Sequence, residues 1–453
     1  AAPCRAALTH PAVVAVRVRL TPPAAGDARS DIDRLRDALG PSRGGAFDLG
    51  LARRLPALLR QGGFEGAAVL ADGDLVDFMP GAGEGPLYGA ALDIGTTSVA
   101  VMLVELGSGR EAGLEAVLNP QTSVGDDVLS RIRACREDAA LEHLRAGLLK
   151  AVNGALARLA RAAGTTPARI VDVAIAGNTA MQQIACGLDP AALGEWPFVA
   201  VFQEGLRVKA ADLGLAVHPA ARAYVFPQIG GFIGGDTAAG MLACGLRAES
   251  EPTLLVDIGT NGELVLAGGG RLTAASAAAG PAFEGARISR GQRAAPGAIE
   301  GVAIQDEVLL QVIGSRRPAG LCGSGLIDAA AELLRRGLLH SSGRLSGPGE
   351  APPGTPPALA ACLTAPGGRP AFRLAGAAET GAGDLLLTQR DVRELQLAKA
   401  AIAAATTLLL RENGLRPGDL RAVYLAGAFG NFIRRHQAQR IGLLPVMPPE
   451  RIR

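Results

Sequence analysis

The sequence predicts a duplicated, two-lobed α/β protein preceded by a small α+β module. Three observations predict it. Residues 89–103, GAALDIGTTSVAVML, and residues 253–266, TLLVDIGTNGELVL, both write Asp-Ile-Gly-Thr between two apolar runs, so one strand–turn–strand unit is used twice. Helical periodicity and further strands follow each copy in a similar order. The 453 residues are enough for roughly three domains of about 150 residues each.

Composition narrows the function classes. Apolar residues at 48% and charged residues at 19% describe a globular chain with ample core, and a net charge of +2 supplies no basic surface of the kind nucleic acid demands. Of the 45 basic residues only Lys150, Lys209 and Lys399 are lysines; this arginine excess reads as a coding bias and carries no function. Charges interrupt every apolar run before the length of about 18 residues that spans a bilayer, so a soluble chain without membrane contact is expected. There is no charged-then-apolar leader, and the first residue is Ala, which predicts a fragment or a processed product. Cys4, Cys135, Cys186, Cys244, Cys322 and Cys362 form no CxxC pair, which argues against a disulfide framework, a zinc site or an iron-sulfur cluster within these residues. A reducing, cytoplasmic compartment fits. The five histidines are isolated from one another and read as structural.

The elements follow in order. Residues 1–25 hold an alternating strand, VVAVRVRL, and then a linker. Residues 26–87 form the α+β module: a helix opened by Asp27 or Ser30, a second over 51–63, and a hairpin over 67–79 turning on Asp72-Gly73. Residues 88–250 form the first lobe, with strand–turn–strand over 89–106, two helices over 126–163, and the strand RIVDVAIAG running into a helix at Asn178. Residues 251–453 form the second lobe. Strand–turn–strand returns at 253–266, a helix from Leu326 to Arg336 is closed by Gly337, and a helix from Gln389 to Glu412 opens on the capping box Thr388-x-x-Asp391. RAVYLAGAFGNFIRRHQA then gives strand, glycine turn and helix, while the Pro/Gly-rich stretch 341–370 reads as an exposed loop or small insertion.

The repeated turns carry the chemistry. No Gly-Lys dipeptide occurs, so phosphates are not held by a Walker A loop. In Asp93-Ile94-Gly95-Thr96-Thr97-Ser98 a strand ends at a carboxylate, Gly95 permits a tight turn, and hydroxyls precede a second strand. Backbone N–H groups and the Thr96, Thr97 and Ser98 hydroxyls at such a tip can converge on an anion while Asp93 holds Mg²⁺, usually through water. Asp257, Gly259, Thr260, Asn261, Gly262 and Glu263 supply the same set again. An ordinary hairpin turn explains either copy alone. Two copies predict turns that face each other across a cleft and grip the β- and γ-phosphates of ATP, with Asp93 and Asp257 as the catalytic and metal-binding carboxylates.

The base and ribose ask for close backbone approach, which Gly427-Ala428-Phe429-Gly430-Asn431 after the strand VYLA offers. Gly323-Ser324-Gly325, opening a helix, is a second candidate, although glycines before helices also serve as caps. Asp236, in GGFIGGDTAAG, is either a helix N-cap or a third metal-site carboxylate; the reading places it in the cleft. Glu284 is brought to the site or sits in a plain turn.

Paired hairpins with a later glycine turn resemble the superfamily of acetate and sugar kinases, Hsp70 and actin, which implies a duplicated RNase H-like fold. More narrowly, ALDIGTTSVA, NPQTSVGDDVLSRI, AGNTAM, GGFIGGDTAAG, LLVDIGTNGEL, AGPAFEGA, GLCGSGLID, LTQRDVRELQLAKAAI and YLAGAFGN occur in the order found in reductive activators of corrinoid-dependent methyltransferases. That resemblance runs from residue 88 to the end. It implies an ATPase using ATP and Mg²⁺ that drives an uphill electron transfer, returning Co(II) corrinoid to Co(I) in a corrinoid protein partner, and it leaves homodimerisation open. Relatives carry a [2Fe-2S] domain ahead of the small module; here no cluster spacing exists, and Cys4 is the remnant of a last ligand or nothing. The cluster is therefore expected on an N-terminal domain absent from this chain. Three other readings stay open: a small-molecule kinase, an activator of another low-potential reductase, and a nucleotide-binding module without turnover.

Overall fold

The computed structural model describes residues 11–453 with the exception of residues 42, 82–84, 126, 138, 428 and 429. Cys4 lies outside the described residues. The chain forms two compact units, divided between Ala239 and Gly240.

The first unit opens with β1 (Val13–Arg19), α1 (Asp31–Leu39), α2 (Leu49–Gln61), β2 (Glu65–Ala71) and β3 (Asp74–Pro80). Ser30 caps α1 in a capping box with Asp33, and Asp48 caps α2. Leu51, Leu55 and Leu59, one helical turn apart, bury one stripe of α2 against Leu35, Ala68, Leu70, Leu75 and Phe78. The three strands form an antiparallel sheet in the order β1-β2-β3. The strand expected ahead of the linker is present and joins the module: β1 pairs with β2 from Val13↔Ala71 to Arg19↔Glu65 and so belongs to the module's sheet. Nothing local could have shown this, because the partner strand is distant in sequence.

The same unit continues with β4 (Tyr88–Ile94), β5 (Ser98–Glu105), β6 (Arg110–Leu118), α3 (Val128–Ala134), α4 (Ala140–Ala162), β7 (Ile170–Gly177), α5 (Thr179–Ala185), β8 (Leu206–Lys209), β9 (Arg222–Val225) and α6 (Gly235–Ala243), inside which the division falls. Its six-stranded sheet has the order β6-β5-β4-β7-β9-β8. β4, β5 and β6 form an antiparallel meander, while β7 runs parallel to β4 and β9 parallel to β7. Leu144, Leu148, Val152 and Leu156 of α4 belong to the core that covers this sheet.

Module and lobe meet along a seam. Val13, Val69 and Ala71 of the module pack with Leu87 and Val171. Beside this apolar patch four contacts join module acids to bases of the β8–β9 hairpin: Asp48 with Lys209 at 2.5 Å, Asp74 with Arg222 at 3.3 Å, Asp72 with Arg222 at 3.5 Å, and Asp77 with His218 at 2.8 Å. Burial opposes ionisation of Asp77, but the bond from His218 and the nearby Arg54 outweigh it and hold the carboxyl below its ordinary range.

The second unit contains β10 (Thr253–Ile258), β11 (Gly262–Gly268), β12 (Arg271–Ala277), β13 (Ala298–Ile304), β14 (Val308–Val312), β15 (Gly320–Leu321), α7 (Gly323–Arg335), α8 (Pro357–Ala360), β16 (Leu363–Thr364), β17 (Ala371–Ala375), α9 (Ala377–Thr380), β18 (Leu385–Thr388), α10 (Gln389–Glu412), β19 (Ala422–Ala426) and α11 (Arg435–Arg440). The sheets are β12-β11-β10-β19, β14-β13-β15 and β16-β17-β18. β10, β11 and β12 repeat the antiparallel meander of β4 to β6, and β19 runs parallel to β10 as β7 does to β4. α10 opens on the capping box that the sequence predicts.

Two expectations change. α7 begins at Gly323 rather than Leu326, because the glycines are the first turn of the helix and not a loop before it. The stretch 341–370 contains α8 and β16 and buries Leu345, Leu359 and Leu363 in the main core, so it is not simply an exposed loop.

Candidate functional site

In the first unit, Asp93 is the penultimate residue of β4, opposite Ala100 on β5 and Ala176 on β7. Gly95, Thr96 and Thr97 form the turn, and Ser98 begins β5. The turn's carbonyls are all held from the protein side. Asn119 donates through Nδ2 to Gly95 O at 2.8 Å and through its backbone N–H to Thr97 O at 3.0 Å, while the Arg131 guanidinium donates to Thr96 O. Both Asn119 and Arg131 are completely buried. A buried guanidinium is retained only with its hydrogen bonds made, and here they fix the turn. The segment NPQTSVGDDVLSRI thus acts as a brace, a role that no spacing in the sequence discloses.

Close approach assembles the carboxylates. A Cβ on Gly177 would lie 2.7 Å from Ile94 O, and one on Gly234 would lie 2.5 Å from Gly177 O. Gly235 N donates to Gln182 Oε1 at 3.1 Å. These contacts seat the start of α6 against the ends of β4 and β7, and Asp236 comes within electrostatic reach of Asp93. The Asp93 side chain is open to solvent, yet protein mass crowds it. That desolvation, followed by the charge of Asp236, raises its carboxyl to about 6. Asp236 is raised too, by desolvation, against the bond it accepts from Thr237 N at 2.7 Å.

In the second unit, Asp257 is the penultimate residue of β10, opposite Glu263 on β11 and Ala426 on β19. Gly259, Thr260 and Asn261 form the turn, with Gly259 N donating to Asn261 O at 3.2 Å, and Gly262 begins β11. Gly280 N donates to Thr260 O at 2.8 Å, and the Thr260 hydroxyl donates to Glu284 Oε1. Glu284, left open by the sequence, therefore stands at this turn.

Gly427 follows β19 at a φ of +84°. A Cβ there would lie 2.6 Å from Asp257 Oδ1 and 3.0 Å from Ile258 O, so only glycine lets this turn back onto the carboxylate. Gly430 N closes the turn on Gly427 O at 3.1 Å. Ala428, Phe429 and the side chain of Asn431 lie outside the described residues. Gly323, Ser324 and Gly325 are buried: the Ser324 hydroxyl donates to Glu300 O at 2.8 Å, and a Cβ on Gly325 would meet Ile299 O at 2.3 Å. Their visible work is helix-to-strand packing.

Sequence reading missed a charge network that ties the buried acids of α7 to the segment following the Gly427 turn. Arg434 pairs with Asp328 of α7 at 2.9 Å, and Gln437 donates to Glu332 at 2.8 Å. Desolvation raises the Asp328 carboxyl to about 6, against the lowering by Arg434.

The arrangement in the first unit, with Asp93 beside Asp236, suits an anion and a divalent cation. Two carboxylates crowded enough to resist ionising together lose that penalty beside Mg²⁺. Among the described residues no group of three or more His, Cys, Asp and Glu is placed to hold a metal ion; Mg²⁺ commonly takes one or two carboxylates and completes its shell with water and phosphate.

Comparison with known proteins places this architecture. Three family models match in succession: the RACo linker region over residues 4–85, the RACo middle region over 88–249, and the C-terminal domain of RACo, the ASKHA domain, over 251–453. A solved structure described as a reductive activator for corrinoid, iron-sulfur protein is 31% identical, covers 98% of this chain and 71% of that one, and superimposes with a TM-score of 0.85. This chain belongs to the family of reductive activators of corrinoid proteins.

Two curated relatives agree with this family. The corrinoid activation enzyme RamQ of Eubacterium limosum is 36% identical over 388 residues, which is 84% of this chain and 65% of the relative. The [Co(II) methylated amine-specific corrinoid protein] reductase of Methanosarcina barkeri is 32% identical over 242 residues, 48% of this chain and 39% of the relative. The chain thus spans no more than about two thirds of the curated activators it matches. The fold is of the ASKHA type, a duplicated α/β ATPase-like architecture. No helix among the described residues is long and apolar enough to cross a membrane.

Proposed function

We propose that this chain is the ATP-hydrolysing part of a reductive activator, coupling ATP binding and hydrolysis to reduction of a partner corrinoid protein from Co(II) to Co(I). The observation that carries the reading is the register shared by the two turns: each places an aspartate opposite an alanine of a parallel strand whose next residue is a glycine pressed onto the Asp-Ile-Gly backbone.

In this reading the backbone amides and hydroxyls of Gly95 to Ser98, and the backbone amides at the Gly259 to Gly262 turn, receive phosphate oxygens. Mg²⁺, when bound, neutralises charge on the transferring phosphoryl group. Asp93 and Asp236 would hold that ion, and Asp257 accepts a hydrogen bond from the attacking water and orients it. The electron that converts Co(II) to Co(I) comes from a one-electron donor of the [2Fe-2S] type outside residues 1–453. A reducing, cytoplasmic setting suits both the redox chemistry and the described cysteines, which are free.

ATP turnover, read as phosphate release, tests the nucleotide half. A Co(I) absorbance signal that appears only with ATP, a reductant and a corrinoid protein tests the rest. Turnover stimulated by a sugar or carboxylate and indifferent to a corrinoid protein would replace this reading with a small-molecule kinase.

A further inference from the structure

The two Asp-Ile-Gly-Thr turns share a backbone plan, but the hydroxyls at their matching threonines are wired in opposite senses. Asn178 donates through Nδ2 to Thr96 Oγ1 at 3.1 Å. The amide's orientation is fixed independently, because its Oδ1 accepts from Met181 N at 3.0 Å as the N-cap of α5. Thr96 Oγ1 is therefore an acceptor toward the protein, and among the described residues its own proton is committed to none. Thr260 is reversed. Its hydroxyl faces the Glu284 carboxylate, which when ionised can only accept, so the single Thr260 proton is spent there. What Thr260 retains is lone pairs.

A hydroxyl whose proton is free can donate to a phosphate oxygen; one whose proton is spent repels that oxygen and can only receive a donor or a cation. We propose that Asn178 and Glu284 differentiate the duplicated turns, making Thr96 a phosphate-binding donor and Thr260 an acceptor that takes the attacking water. This rests on the nucleotide reading above and goes beyond it by assigning unlike tasks to like turns and two positioning residues, Asn178 and Glu284, to them. The carbonyls of the first turn agree with its part of the assignment. Those of Gly95, Thr96 and Thr97 are all engaged by Asn119 and Arg131, so lone pairs are withdrawn from the first turn and donors remain.

Two substitutions separate the roles with the fold kept. In Asn178→Asp the carboxylate still caps α5 but captures the Thr96 proton, so the calorimetric dissociation constant for ATP should rise about tenfold or more, as loss of one charge-assisted hydrogen bond implies. In Glu284→Gln the amide can donate to Thr260 and frees its proton, so ATP affinity should stay within about twofold of the parent while turnover at saturating ATP falls about tenfold or more. Thermal melts of both variants report folding, and Glu284→Asp should recover part of the turnover. The assignment is overturned if Asn178→Asp binds ATP as the parent does, if Glu284→Gln weakens ATP binding as strongly as Asn178→Asp, or if Glu284→Gln keeps full turnover. A parent chain that binds no ATP would instead sink the nucleotide reading itself.

Discussion

Asp93 and Asp257 occupy equivalent places in two different sheets: each is the penultimate residue of the first strand of an antiparallel meander, and each faces an alanine, Ala176 or Ala426, on a parallel strand. A one-residue slip of either strand would turn its aspartate to the opposite face of the sheet. The buried apolar residues beside them, Leu92 and Ile94 in one strand and Val256 and Ile258 in the other, hold that register.

Asp257→Asn keeps the shape of the side chain and removes the charge that orients water. Steady-state phosphate release should fall on the order of a hundredfold or more, with ATP affinity changed much less. Phosphate release at the parent rate would exclude Asp257 as the orienting carboxylate.

The raised Asp93 carboxyl makes stability depend on pH in a defined direction. Its folded value is about 6 against 3.8 in the reference state. The folded chain therefore holds this proton more tightly, and stability is gained below about pH 4 and lost as pH rises toward 6. Asp236 acts in the same sense. Because Asp93 is open to solvent the effect on melting is small: without metal, Asp93→Asn should melt about 1–2 °C above the parent at pH 7.5 and level with it at pH 4. Mg²⁺ should raise the parent's melting temperature more at pH 7.5 than at pH 5, and much less in Asp93→Asn. Equal Mg²⁺ responses at the two pH values would separate the carboxylates from the metal.

Gly427→Ala tests the close approach behind Asp257. A methyl group meets Asp257 Oδ1 at 2.6 Å in a backbone conformation with φ of +84°. Strain of about 1–2 kcal/mol is expected in chemical denaturation. Turnover should fall by more than that destabilisation accounts for, because the displaced group is the carboxylate itself.

Arg434→Gln leaves Asp328 buried without its cation. Since Arg434 is partly solvated, a loss of about 2 kcal/mol is expected at pH 8, below the value for a fully buried pair. Asp328 takes up its proton around pH 6, so the penalty should shrink toward nothing by pH 5. A pH-independent loss would mean that Arg434 matters through packing alone.

Much of this was legible in residue patterns. The duplicated strand–turn–strand, the α10 capping box at Thr388 and Asp391, and the α1 and α2 helices follow from local periodicity and capping, which act within a few residues. The β1 pairing, the short strands β13 to β18 and the Arg434–Asp328 pair depend on partners far apart in sequence, where local preference is silent. The site divides in the same way. Asp93, Asp257 and the glycines announce themselves because a tight turn next to a carboxylate is a local event. Asn119 and Arg131 do not, since a buried brace looks like any polar residue until the turn above it is seen. Glu284 lay between these cases: its glycine-flanked turn was visible, while its bond to Thr260 was not.

The acid-and-base seam makes the front module a bracket bolted to the sheet edge at β8 and β9. The module and residues 88–239 thereby form one compact unit, joined by an apolar cluster as well as by charge. A segment attached ahead of Val13 would join the chain at a residue that is itself packed into this seam.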